Sequence, residues 1–168
     1  MRNKYYLFTL LILALDHLSK WIVWLKLDRN NPVELIPGYF RLSLVCNSGV
    51  AFGFFNSGSS IWKPYLLAAM AVVALAVLFI YGRRMPPGRR LLQYALALTA
   101  GGILGNFIDR IFRGFVIDFI EFHVHDSFYW PNFNVADSAI TIGIALLLID
   151  AVRNPSLEEA AEPTTDRT

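Results

Sequence analysis

The sequence predicts an all-α integral membrane protein with four transmembrane helices. Small strand-bearing segments are expected between helices 1 and 2 and between helices 3 and 4. Three observations predict this. Hydrophobic residues make up 55% of the 168-residue chain and charged residues only 17%, against roughly 25% charged in soluble domains. Mean hydropathy is +0.46. The apolar residues also fall in four runs, each near the roughly 20 residues a bilayer crossing needs, which leaves about 88 residues for everything else. Such a composition excludes a disordered chain, a charged coiled coil and a soluble nucleic-acid binder. The net charge of +2 is too mild to imply a polyanionic partner, and Cys46 is the single cysteine, so no intrachain disulfide or CxxC site can form.

The first span, about residues 5–27, holds Asp16, His17 and Lys20 within its apolar run. Arg2 and Lys4 precede it as in a secretory signal, but the polar residues break the apolar core and no small-residue cleavage site follows. It therefore reads as an uncleaved span. In the next loop Pro37-Gly38 marks a turn, and residues 39–45, aromatic and branched, read as a strand. Residues 57–60, with Gly58, would permit a lid. The second span, about 64–81, is dominated by Ala, Val and Leu. The third, about 91–112, contains Gly101, Gly102 and Gly105, a small-residue contact face for neighbouring helices. Residues 115–124 read as a strand or short helix. The fourth span runs from about 136 to 152, completing one polytopic domain over 1–153, and the acidic, proline-bearing residues 154–168 read as a disordered tail.

Arg83, Arg84, Arg89 and Arg90 crowd the short link between the second and third spans. Basic residues on the other side are spread through longer segments. This asymmetry places both termini and that link in the cytoplasm. Asp16, near mid-membrane, and Lys20, one turn further out, then approach an outer layer that also receives Asn106, Asp109, Arg110, Asp118 and Asp137. Asp150 lies at the inner end, where Arg153 is spaced to pair with it.

A charge at a helix centre costs about 2.5–3.5 kcal/mol on insertion scales, so such residues mark ion pairs or sites. Asp16 and Lys20 are spaced to neutralise each other at i, i+4. Asp109 and Arg110 are placed for snorkelling at a helix end. Asn134 and Asp137 have the spacing of an N-cap and a helix-favoured acid. Asp118 lies in Val116-Ile117-Asp118-Phe119-Ile120, among apolar neighbours that raise a carboxyl pKa. His123 and His125 with Asp126 have partial metal-ligand spacing, but no second cluster completes a site. His17 reads as a hydrogen-bonded packing residue. These residues alone fit a peptidase, a small proton-coupled transporter or channel relaying through Asp16, Lys20 and Asp109, or a membrane scaffold whose acids only cap and pair.

Five motifs occur in order from residue 16 to 138. Asp16-His17-Leu18-Ser19-Lys20 resembles the D-Q-x-S/T-K box of the lipoprotein signal peptidases (signal peptidase II), and Asn47-Ser48-Gly49-Val50-Ala51-Phe52 resembles their N-x-G-x-A-F box. Residues 101–106, ending in Asn106 and followed by Asp109-Arg110, resemble G-G-x-x-G-N-x-x-D-R. Val116-Ile117-Asp118-Phe119 is similar to the fourth box, and Phe133-Asn134-Val135-Ala136-Asp137 to F-N-x-A-D. His17 departs from the family, which often has Gln there.

The resemblance implies an aspartic endopeptidase of the bacterial inner membrane, with four helices and a periplasmic β-rich cradle. It would remove the signal peptide from a prolipoprotein just before the diacylglyceryl-modified cysteine, acting as a monomer among membrane lipids with no metal or organic cofactor. The family's catalytic pair maps onto Asp118 and Asp137. Asp16, Lys20, Asn47, Gly49, Asn106, Asp109, Arg110, Asn134 and Ala136 fall on its other motif positions. Peptide hydrolysis by two acids needs one ionised and one protonated. Asp137 at a helix start suits the first role and Asp118 the second.

Overall fold

The computed structural model describes residues 3–49, 62–85 and 88–153. The stretch 57–60 that would permit a lid, the end of the second motif from Val50 and the tail 154–168 lie outside them. Among these residues four helices and a small sheet alternate: α1 (Asn3–Lys26), β1 (Val33–Ile36), β2 (Phe40–Asn47), α2 (Lys63–Arg84), α3 (Arg90–Arg113), β3 (Val116–Val124), β4 (Phe128–Tyr129) and α4 (Val135–Arg153). All four helices are long and apolar enough to cross a membrane. Each helix agrees with an expected span to within three residues at either end.

Helix α3 is central and packs against α1, α2 and α4. Its small residues make this possible. A Cβ on Gly101 would press on Ile12 and the Thr9 carbonyl of α1, and one on Gly102 would collide with the Ala136 carbonyl of α4. The contact face expected at Gly101, Gly102 and Gly105 is therefore two-sided. α4 answers with Gly143, whose missing side chain leaves room for Thr99 of α3. On α1 the buried residues are Ile12, Asp16, Lys20 and Val23, a stripe at three- and four-residue spacing that faces the bundle. Leu7, Leu10 and Leu11 are exposed, as lipid-facing residues are when the surrounding solvent is hydrocarbon.

The two segments expected to carry strands join in one antiparallel sheet, ordered β1-β2-β3-β4. β1 and β4 are short strands that the sequence pattern does not announce. Ile36-Pro37-Gly38-Tyr39 forms the β1–β2 turn, closed by the Tyr39 amide donating to the Ile36 carbonyl at 3.0 Å. Gly38 supplies the positive φ of 79° there, with proline before it as a type II turn prefers. α3 ends at Gly114, φ 76°, whose amide donates back to the Arg110 carbonyl, the left-handed cap that frees the chain to enter β3. Val23, Leu44, Ile117 and Phe119 form the core under the sheet, so the sheet is seated on the end of α1.

At the opposite end of the bundle Asp150 pairs with Arg89. The sequence had pointed to Arg153. A partner across the bundle ties the start of α3 to the end of α4, which a neighbour along the same helix cannot do.

Gly102→Ala should destabilise the protein by about 1–3 kcal/mol through overpacking against α4. Gly88→Ala, whose Cβ meets nothing within 4 Å, should leave the melting temperature in detergent unchanged.

Candidate active site

The polar residues expected in one layer are brought together where α1, α3, the sheet and the start of α4 meet. Lys20 is at the centre and fully buried. Its ammonium has three donors and three acceptors close around it: Asp16 Oδ2 at 2.7 Å, Asp109 Oδ2 at 2.9 Å and Asn106 Oδ1 at 3.0 Å. The Asp16–Lys20 pair is the one its spacing predicts. Asp109 does not snorkel, because it is buried and Arg113 donates to its other oxygen at 3.1 Å.

Asp16 has a second task. Its Oδ1 accepts the Ala136 amide at 2.9 Å, so α1 satisfies an orphan N–H in the first turn of α4. The small side chain of Ala136 lets α4 come this close, since it packs where Gly105 of α3 lacks a Cβ. α4 starts with the expected reciprocal cap: the Asp137 amide donates to Asn134 Oδ1 at 2.9 Å, and the Asn134 amide to Asp137 Oδ2 at 3.3 Å.

Asn134 also joins the two candidate acids. Its Nδ2 donates to Asp118 Oδ1 at 2.7 Å and lies 3.2 Å from Asn106 Oδ1. Asn106 Nδ2 in turn donates to Asp137 Oδ1 at 2.7 Å. Asp118 receives a second donor, Asn47 Nδ2, at 2.9 Å. The orientation of Asn47 is set by the Gly49 amide, which donates to its Oδ1 at 2.9 Å. Arg110 reaches from α3 to the Gly49 carbonyl at 3.4 Å and to the Asn106 carbonyl at 3.2 Å. Each of the eleven residues drawn from the motifs therefore belongs to one connected cluster.

Asp118 is only 2% exposed. Burial, and then the charge of Asp137, push its carboxyl up to about 7, although Asn47 and Asn134 donate to it. The discomfort legible in its apolar strand is real. Asp137 is less enclosed and borders a cavity of about 700 Å³, lined also by Asn106, Arg110, Asn132 and Phe133 and, from α2, by Met70 and Ala74. A carboxyl that keeps a proton near neutrality stands beside one held by amide donors at a helix start. Together they can supply an acid and a base to one bond.

The family model of Signal peptidase (SPase) II matches the chain over residues 8–153. The chain belongs to the signal peptidase II family. It is 41% identical over 153 residues to a lipoprotein signal peptidase of Pseudomonas aeruginosa, covering 91% of this chain and 90% of that protein. It is 42% identical over 151 residues to one of Pseudomonas syringae, covering 90% and 87%. Two solved bacterial membrane enzymes share the fold. One has a TM-score of 0.79 at 27% identity over 90% of this chain and 94% of the other, and the second 0.75 at 26% over 99% and 95%. As a signal peptidase II family member with four spanning-length helices, the protein is a multi-pass bacterial membrane peptidase.

Sequence reasoning missed a further buried carboxylate, Glu121. It takes Arg41 at 2.6 Å, Ser43 at 2.8 Å and Asn132 at 3.1 Å. Its alternation with Phe119 and His123 on one strand face was the available signal. The histidine pair resolves differently. His123 is buried, stacked on Tyr129 and 3.4 Å from Glu34, whereas His125 is exposed and edge-on to Tyr39. Among the described residues no three His, Cys, Asp or Glu side chains gather as a metal site. His17 is also corrected: its Nε2 is buried and finds no hydrogen-bond partner among the described residues.

Lys20→Met would leave Asp16 and Asp109 buried without their shared cation. Loss of one partner from such a group costs about 3–5 kcal/mol. The variant should show a much lower melting temperature and little folded yield.

Proposed function

We propose that the protein is an aspartic endopeptidase that removes the signal peptide from prolipoproteins by cutting just before the diacylglyceryl-modified cysteine. The observation that carries this reading is the Asp118–Asn134–Asp137 arrangement, one buried carboxyl raised to about 7 and joined through a single asparagine, whose side chain donates to it and whose backbone amide donates to the second, to a carboxyl at a helix start. The names of the relatives support the substrate class.

In the proposed mechanism Asp137 is ionised and takes a proton from the attacking water. Asp118, protonated, donates a hydrogen bond to the carbonyl oxygen of the residue before the cysteine. The water oxygen bonds to that carbonyl carbon. The C–N bond then breaks, and the proton taken up by Asp137 passes to the departing cysteine amine. Asn134 and Asn106 hold the two acids in register, and Arg110 holds the Gly49 backbone beside them. Lys20, Asp16 and Asp109 anchor the frame and touch no substrate. The cavity beside Asp137 has a polar end at Asn106 and Arg110 and an apolar wall from α2 and α4. That suits an apolar signal helix whose cleavage point emerges at the membrane surface.

On this reading residues 1–153 are one polytopic peptidase domain of the inner membrane, acting as a monomer among lipids. Both termini, with the 154–168 tail, are cytoplasmic, and the sheet and active site are periplasmic. The arginines between α2 and α3 support that orientation. The transporter or channel reading gains no support. Lys20, Asp16 and Asp109 form a closed ion cluster, and the far end of the bundle holds the separate Arg89–Asp150 pair.

Asp118→Asn and Asp137→Asn should each lower cleavage of a purified diacylglyceryl-prolipoprotein by at least about a hundredfold at unchanged melting temperature. Full activity in either would overturn the pair. Asp118 is raised when folded, so it loses its proton as pH climbs through about 7. Cleavage should therefore fall about tenfold per pH unit well above that value. The same sign applies to stability: the contribution of Asp118 is complete below its unfolded value and is lost as pH rises through about 7. In a Cys46→Ser background, Ser127→Cys should react with an impermeant thiol reagent from the periplasm and Gly88→Cys should not.

A further inference from the structure

Glu121 has no part in the chemistry above, yet it is a carboxylate 5% exposed in the middle of the sheet. An ionised group in such a place is weak as a source of stability, since an apolar or neutral residue would hold two strands as well. Its partners show what it is connected to. Arg41 and Ser43 come from β2, the neighbouring strand. Asn132 comes from the segment that leads into α4, and its Nδ2 donates to both Glu121 Oε2 and Ser43 Oγ. Burial alone would raise the Glu121 carboxyl, but Arg41, Ser43 and Asn132 together hold it below the usual range. The anchor therefore stays charged while Asp118 titrates.

The tethered segment is short and its far end is the candidate site. The Trp130 amide donates to the Phe122 carbonyl, and Phe133 exchanges amide and carbonyl bonds with Ile120, its carbonyl also taking the Phe119 amide. These bonds set the distance of the segment from β3. Asn132, between them, is the side-chain anchor. Two residues later Asn134 donates to Asp118 and caps α4 for Asp137. Asn132 and Phe133 also border the cavity beside Asp137.

We infer that Glu121 is a positioning residue for the proposed peptidase, acting through Asn132 to hold the 130–134 segment so that Asn134 keeps its bonds to both acids. The inference rests on the peptidase reading for its kinetic consequence but not for its geometry. Glu121 does not line the cavity beside Asp137, and Asn132, which does, has its amide donor committed to Glu121 and Ser43. They act on turnover by holding Asn134 in place, and small misplacements of aligned groups cost turnover steeply.

The test uses the full detergent-solubilised chain with Asn132→Ala, which removes the donor, and Glu121→Gln, which removes the charge and keeps the shape. With diacylglyceryl-prolipoprotein, kcat per folded molecule should fall about tenfold in each variant while KM holds within about twofold. The Asp118 carboxyl is followed separately by difference infrared titration, assigned by its loss in Asp118→Asn. The groups facing it are Asp137, Asn47, Asn134 and Lys20, with Arg110 and Cys46 also within reach of its charge, and none of them is altered. In Asn132→Ala the midpoint should rise by roughly half a pH unit as the Asn134 donor slackens. Variants that melt lower but turn over normally when folded would reduce Glu121 to a sheet staple and overturn the inference. A kcat loss with an unmoved midpoint would overturn it too, since the effect would then bypass Asn134. If the unmodified chain cleaves no prolipoprotein, the peptidase reading fails, and the midpoint alone decides whether Glu121 positions Asp118.

Discussion

The Lys20 ammonium is the interaction on which the rest of the structure depends. It lies in the buried stripe of α1 and is shared by Asp16, Asp109 and Asn106. A lone ammonium in such a position is expensive, and here it is hydrogen-bonded to Asp16 and Asn106 and ion-paired with Asp109 at 2.9 Å. The partners come from two helices, so the ion cluster locks α1 to α3. Asp16 then extends the lock to α4 by accepting the Ala136 amide. The glycines of α3 are the steric condition for this. A Cβ at Gly105 would run into the Asp16 carboxylate, so the small-residue face and the polar cluster require each other.

From that base two asparagines carry order outward. Asn106 accepts from Lys20 and donates to Asp137, while Asn134 donates to Asp118 and caps the helix that bears Asp137. Asparagine suits these positions because one side chain both donates and accepts without adding charge. An acid in its place would repel the neighbouring carboxyls, and an apolar residue would leave them without donors. The two acids therefore differ in surroundings, although only one residue separates them in the network. Asp118 is closed in by strand and helix ends. Asp137 looks onto the cavity.

Much of this was legible in the sequence where the physics is local. The i, i+4 spacing of Asp16 and Lys20, the cap spacing of Asn134 and Asp137, the turn at Pro37-Gly38 and the unease of Asp118 among branched residues are short-range signals, and all appear in the structure. What stayed hidden depends on tertiary approach. Lys20 reaching Asp109, Asp16 capping α4, and Arg89 holding Asp150 each join residues dozens of positions apart. Glu121 escaped because a single charged residue in a segment that reads as a strand or short helix ordinarily faces solvent. Only the pairing of β2 with β3 brings Arg41 and Ser43 to it. The strands β1 and β4 were missed for a related reason: each is too short to show alternation and exists because a longer neighbour offers it an edge.

The charge balance of the cluster gives an independent reason for a proton to be held there. Among the described residues four carboxyls gather, those of Asp16, Asp109, Asp118 and Asp137, with three cations, Lys20, Arg110 and Arg113. Asp16 and Asp109 are bonded directly by Lys20 and Arg113, so their charges are met first. Arg110 is left to balance the remaining two acids, and one cation cannot neutralise two carboxylates in a poorly solvated place. One proton on the pair restores neutrality. Asp137 has the helix start and the open cavity, so the proton is retained at least cost on Asp118, the acid that burial already disfavours as an anion. The ion cluster that holds the helices together thus also leaves the proposed pair one cation short, and that shortage keeps one of its members an acid.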